Sequence, residues 1–154
     1  MTAPGVDLAP LGGVAVGVDV VLVQDVVRSL EAHGDRYRRR VFTDHELSCC
    51  DGPTEVEARG LAARFAAKEA VIKVLRPEEG QPEWRSIEVR RHAGGACSVE
   101  LTGSARRLAV ERGIGEIAVS LCHEGPLALS VAVASRSDVA RDAAMCTRAK
   151  GAQR

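Results

Sequence analysis

Aromatic side chains are nearly missing from this chain. Tyr37, Phe42, Phe65 and Trp84 are the whole set in 154 residues, too few for a surface on which nucleic-acid bases stack. Net charge is missing as well, with 21 basic side chains against 21 acidic ones, so no bulk attraction to nucleic acid or to an anionic membrane is expected. The cysteines, Cys49, Cys50, Cys97, Cys122 and Cys146, are odd in number and form no C-x-x-C. They suit neither a disulfide framework nor a zinc site and read as reduced thiols. No apolar run approaches the ~18 residues of a membrane span, and no basic segment followed by an apolar stretch marks a secretory signal. These absences leave a soluble, cytoplasmic chain as the expectation. Its length suits one domain, small enough that an oligomer would help bury surface.

What is present is concentrated in residues 61–75, LAARFAAKEAVIKVL. The stretch is Ala-rich, free of Gly and Pro, and predicts a strong helix. Projected at about 100° per residue, Leu61, Phe65, Ile72 and Leu75 share one arc. Ala62, Ala63, Ala66, Ala67 and Ala70 fall mostly opposite, where another backbone can approach closely. Both sides read as buried, yet the four charges form no solvated stripe: Lys68 lies in the large apolar arc near Arg64, and Glu69 and Lys73 sit at its edge beside the alanines. Either Arg64 and Lys68 snorkel while Glu69 and Lys73 make an ordinary i,i+4 pair, or these charges serve a ligand or ion. Upstream, residues 14–23, VAVGVDVVLV, read as a buried strand whose only charge is Asp19 and whose Gly17 permits close backbone approach. A strand carboxylate and a helix carboxylate together can hold magnesium through two protein ligands, leaving the other octahedral positions to water and phosphate oxygens.

The remaining chain reads as one α+β domain over residues 14–134, between a flexible leader at 1–13 and a disordered tail at 135–154. A helix is expected over 24–33, stopped by Gly34, and a basic cluster of Arg36, Arg38, Arg39 and Arg40 surrounds Tyr37. That cluster is either a solvated face or a landing patch for an acidic partner. Thr43 to Glu46 spells a capping box, and Thr54 opens the long central helix, which Arg76-Pro77 ends. Residues 84–92 and 96–101 read as a hairpin around Ala93-Gly94-Gly95. A helix over 103–112 is capped by Thr102, and strands over 117–122 and 127–134 close the chain. His123, at a strand end, is by itself more in keeping with a structural histidine than a ligand.

GVDVV at residues 17–21 and RFAAKEAVIK at 64–73, with VFTDHEL at 41–47 and VSLCHEG at 119–125, resemble the holo-acyl-carrier-protein synthase family of 4'-phosphopantetheinyl transferases. The resemblance implies a small, mostly antiparallel sheet packed on the long central helix, and a homotrimer with sites between subunits. It implies transfer of 4'-phosphopantetheine from coenzyme A to a serine of an acyl carrier protein or carrier domain in fatty acid or polyketide synthesis, releasing 3',5'-ADP. On that reading Asp19 and Glu69 hold magnesium, with manganese able to replace it. Lys73 stabilises or protonates the departing phosphate, and Glu69 or a water on the metal takes the serine proton. Arg64, Lys68 and His123 become phosphate-side contacts to coenzyme A, with Ser120 and Cys122 on the same segment as His123. The carrier docks near Arg28, Arg36, Arg39 and Arg40. The chain departs from the family pattern at Asp25, where many members carry a basic residue, and only Gly80 remains of a Gly-rich segment after the central helix. Two alternatives use the same features: a metal-dependent nucleotide phosphohydrolase, and a carrier-binding subunit without activity.

Overall fold

The computed structural model describes residues 13–137. The expected leader, apart from Gly13, and the expected tail beyond Ser137 lie outside the described residues. Five strands form one antiparallel sheet in the order β1-β5-β4-β3-β2. They are β1 (Val14–Leu22), β2 (Ile87–Arg91), β3 (Cys97–Leu101), β4 (Ile114–Glu124) and β5 (Leu127–Arg136). The helices are α1 (Val23–Val41), α2 (Asp44–Ser48), α3 (Thr54–Leu75) and α4 (Gly103–Glu111), and α3 lies across the sheet.

α3 is buried on nearly every side, as its composition predicts: its alanines and its large residues both contact protein. One buried cluster holds Ala15 and Ala132 with Ala70, Val74 and Leu75 from the C-terminal half of α3. Another holds Ala128 and the partly buried Val21 with Ala58, Leu61 and Ala62 from its N-terminal half. The helix therefore runs antiparallel to β1, and the two backbones nearly touch. A Cβ on Gly17 would stand 2.0 Å from the Ala70 carbonyl oxygen, so only glycine fits there. The helix ends at Arg76 in the left-handed region (φ 48°), because Pro77 bars it from continuing.

Several local expectations need correction. Gly34 does break helical geometry (φ 49°, ψ −129°), but the chain resumes the helix beyond it, so α1 is kinked there and continues to Val41. The strand expected from Trp84 begins only at Ile87. Trp84–Ser86 is a short 3-10 turn, closed by Ser86, whose amide and hydroxyl both donate to the Glu83 carbonyl. Thr102 precedes α4 without capping it through its side chain. The Ser86 hydroxyl accepts from Ala105 N–H instead (3.3 Å). β5 continues to Arg136, two residues past the expected limit. The Thr43–Glu46 capping box forms as predicted.

β1 was expected to be buried on both faces, and within one chain it is covered on one. Val18, Val20 and Leu22 are exposed, and Leu127, Leu129 and Val133 on β5 continue the same apolar ridge. Strand alternation explains the division: Ala15, Gly17, Asp19 and Val21 face α3, and the residues between them face away.

Candidate functional site

Strand β1 and helix α3 build the site between them. The close Gly17–Ala70 approach sets their separation, and two residues further along β1 the side chain of Asp19 rises on the α3 side, in register with Ser130 of β5. Lys73 comes down to meet it. Its ammonium donates to Asp19 Oδ1 (2.9 Å) and to the Val18 carbonyl (2.7 Å). Asp19 is only 17% exposed and Lys73 38%, so the pair is partly sheltered and still open to a ligand.

Glu69 lies one turn before Lys73 on the same face of α3 and is half-buried. Burial raises its carboxyl above the ordinary range, the Asp19 charge adds to that rise, and Lys73 opposes it. Two carboxylates close enough to repel, one of them poorly hydrated, favour a cation beyond what Lys73 alone supplies. Both donors are hard oxygens, which suit magnesium, and two protein ligands leave room for water and phosphate oxygens. The donor set thus fits the metal anticipated from the sequence.

The other predicted residues are placed less uniformly. Lys68 does not reach this face. It is 0% exposed, and its ammonium is spent on Glu46 Oε2 (2.8 Å) and the carbonyls of Trp84 (2.9 Å) and Ile87 (2.5 Å). A phosphate contact from Lys68 is therefore corrected to a buried structural bond, because all three of its protons are occupied. Arg64 is 7% exposed and donates to the Gly60 carbonyl (3.2 Å), while its Nε is buried without a partner. It lies beside Cys50, whose thiol burial pushes up to about 11, with Arg64 opposing. Cys49, Cys50, Cys97 and Cys122 are all free thiols.

His123 is exposed near the end of β4 and pairs through Ala128 with Val21. Its row of the sheet lies one step beyond that of Asp19 on the same face. Two strand spacings, roughly 10 Å, separate their strands, with β5 in between. Ser120 and Cys122 fall on the opposite face, in register with Val131 and Leu129.

Of the basic cluster, Arg38 is withdrawn. It grips Glu57 at the start of α3 through two bonds (2.7 and 3.0 Å). Arg36, Arg39 and Arg40 remain exposed on the second half of α1. Arg28 stands 3.5 Å from Asp25, both exposed. Sequence reasoning missed Glu46 as the partner of Lys68, since the capping box accounted for its charge; the only available signal was a lysine among apolar neighbours.

Carboxylates from a strand and a helix, with an ammonium alongside, on a small α+β scaffold define a site suited to a phosphate-bearing substrate. The chain belongs to the 4'-phosphopantetheinyl transferase superfamily, whose family model matches residues 15–131. It is 43% identical over 121 residues to holo-[acyl-carrier-protein] synthase of Moorella thermoacetica, covering 79% of this chain and 93% of that one. The corresponding protein of Desulforudis audaxviator is 41% identical over 119 residues, covering 77% and 90%. Among solved structures, the acyl carrier protein synthase of Mycobacterium tuberculosis matches with a TM-score of 0.64 at 34% identity, over 82% of this chain and 100% of that one. A Chronobacterium ammoniagenes ACPS-CoA complex matches with a TM-score of 0.69 at 28% identity, over 80% and 98%. No helix among the described residues is long and apolar enough to cross a membrane.

Proposed function

We propose that this protein transfers the 4'-phosphopantetheine group of coenzyme A to a serine of an acyl carrier protein or carrier domain, releasing 3',5'-ADP. The observation that carries the reading is the bond from Lys73 to Asp19, with Glu69 one turn before Lys73 on the same face of α3, in a chain that matches holo-[acyl-carrier-protein] synthases over nearly their whole length. The serine oxygen forms a bond to the β-phosphorus of the pyrophosphate, and the bond from that phosphorus to the bridging oxygen breaks. Catalysis of such a displacement is largely positioning and neutralisation of charge.

Magnesium held by Asp19 and Glu69 supplies, when bound, neutralisation of the pyrophosphate charge. Manganese has the same preference for oxygen donors. Glu69 is one candidate to accept the serine proton. Lys73, already bridging Asp19 and the β1 backbone, is placed to turn toward the departing phosphate. His123 supplies a phosphate-side contact, and Arg64 adds one only on turning out of its buried bond to the Gly60 carbonyl.

The exposed ridge of Val18, Val20, Leu22, Leu127, Leu129 and Val133 supports a homotrimer, in which His123 of one subunit faces Asp19, Glu69 and Lys73 of its neighbour. Arg36, Arg39 and Arg40 form the dock for an acidic carrier, with Arg28 offset by its Asp25 neighbour. Its substrates place the enzyme in the cytoplasm, in fatty acid or polyketide synthesis. The test is 3',5'-ADP release from coenzyme A with and without an apo carrier protein. Carrier-dependent release is expected. Phosphate release without carrier indicates a phosphohydrolase, and carrier binding without release indicates a silent binding subunit.

A further inference from the structure

Lys68 and Glu69 are adjacent in sequence and point about 100° apart around α3, one into the protein interior and the other onto the face that carries Lys73, whose ammonium meets Asp19. The socket of Lys68 is completely closed. Lys68 and Glu46 are both 0% exposed, and their charged ends meet at 2.8 Å. Glu46 in turn accepts from the amides of Thr43 (2.8 Å) and Val89 (2.9 Å). The three acceptors around the ammonium come from α2, from the 3-10 turn at Trp84 and from the first residue of β2. Three directional bonds from three elements fix where the side chain points, which apolar packing alone does not do.

We propose that Lys68 is a positioning residue: its buried socket with Glu46 sets the rotation of α3 about its axis and so holds Glu69 opposite Asp19. A helix with side chains has a radius of about 5–6 Å, so a rotation of 20° carries a side-chain end by ~2 Å. Functional constellations tolerate only about 0.5 Å. The Gly17–Ala70 contact sets how closely β1 and α3 approach, and the Lys68 socket sets which residue of α3 meets Asp19. This inference rests on the reading of Asp19 and Glu69 as the metal-holding pair.

The test is manganese binding to the full chain without coenzyme A, followed by electron paramagnetic resonance, together with steady-state kinetics. Removing Lys68 alone strands a buried carboxylate, so the informative variant is the double replacement Lys68→Met with Glu46→Leu, which leaves no buried charge. It is expected to fold by circular dichroism, to bind manganese about tenfold more weakly and to lose about tenfold in kcat, while KM for coenzyme A changes little. If that variant does not fold, Glu46→Gln, which keeps an acceptor oxygen for one of the two amides and removes the charge that faces Lys68, is expected to weaken manganese binding in the same direction. A folded variant with manganese affinity and kcat equal to those of the native chain overturns the proposal and makes the pair a matter of stability alone. Glu69→Gln is measured alongside. If it too binds manganese like the native chain, the metal-holding role of Glu69 fails, and the positioning role falls with it.

Discussion

Glu69 is the residue at which structure and chemistry conflict most openly. Its carboxyl is partly desolvated, the Asp19 charge raises it further, and Lys73 opposes that rise. The raised folded-state pKa means that the folded protein holds its proton in a pH range where the unfolded chain has lost it. That contribution favours the fold at low pH and is lost as pH rises from the ordinary Glu range through the raised value. Glu69→Gln cannot incur this loss. Its melting temperature in metal-free buffer is therefore expected to gain on that of the native chain as pH rises above about 4. Magnesium should narrow the gap by binding the native form. A pH-independent difference in thermal melts contradicts this account of Glu69.

At the scale of elements, the chain is organised by the contact of β1 with α3, and Gly17 is its narrowest point. Gly17→Ala places a methyl 2.0 Å from the Ala70 carbonyl oxygen. The helix must then move away from the strand, at a cost of about 1–3 kcal/mol by the usual penalty for overpacking. Urea unfolding should show that loss, with transfer activity falling further than the folded fraction. A variant as stable and active as the native chain would show that the two backbones have slack.

Both elements were legible in the sequence, because an Ala-rich helix without breakers and a β-branched strand carrying a single charge are strong local signals. The family motifs singled out Asp19, Glu69 and Lys73, while the direct bond from Lys73 to Asp19 was not read from the sequence. What local pattern could not show was the outcome of competition between distant groups. Glu46 satisfies a capping box within α2 and also neutralises Lys68. Ser86 takes the place at α4 expected of Thr102. Gly34 carries a kink where a stop is the usual outcome. The uniform apolar character of β1 could not separate burial within the chain from an exposed apolar face.

For the whole molecule, the questions are which surfaces meet partners and where the site is completed. With Arg38 held by Glu57, the charges left for an acidic carrier are Arg36, Arg39 and Arg40, beside the self-compensating Asp25–Arg28 pair. Rim charges act mainly on association rate and are screened by salt. Arg36→Glu with Arg39→Glu is expected to raise KM for the carrier and flatten its salt dependence, while KM for coenzyme A stays unchanged; equal damage to both would make the cluster part of the fold. Assembly has its own test, because a site shared across subunits can be complemented. Glu69→Ala and His123→Ala chains, each inactive alone, should regain part of the activity when refolded together. Mixed oligomers confirmed by mass that stay inactive would contradict a shared site.

The most direct measurement of the central claim is the intact mass of an apo carrier protein after incubation with this enzyme, coenzyme A and magnesium. The native chain is expected to add one phosphopantetheine group to the carrier serine, and Asp19→Ala and Glu69→Ala chains, folded by circular dichroism, are expected to add none. A carrier of unchanged mass with the native chain, across carriers of both fatty acid and polyketide synthesis, would contradict the transferase reading. Full modification by either variant would contradict the site.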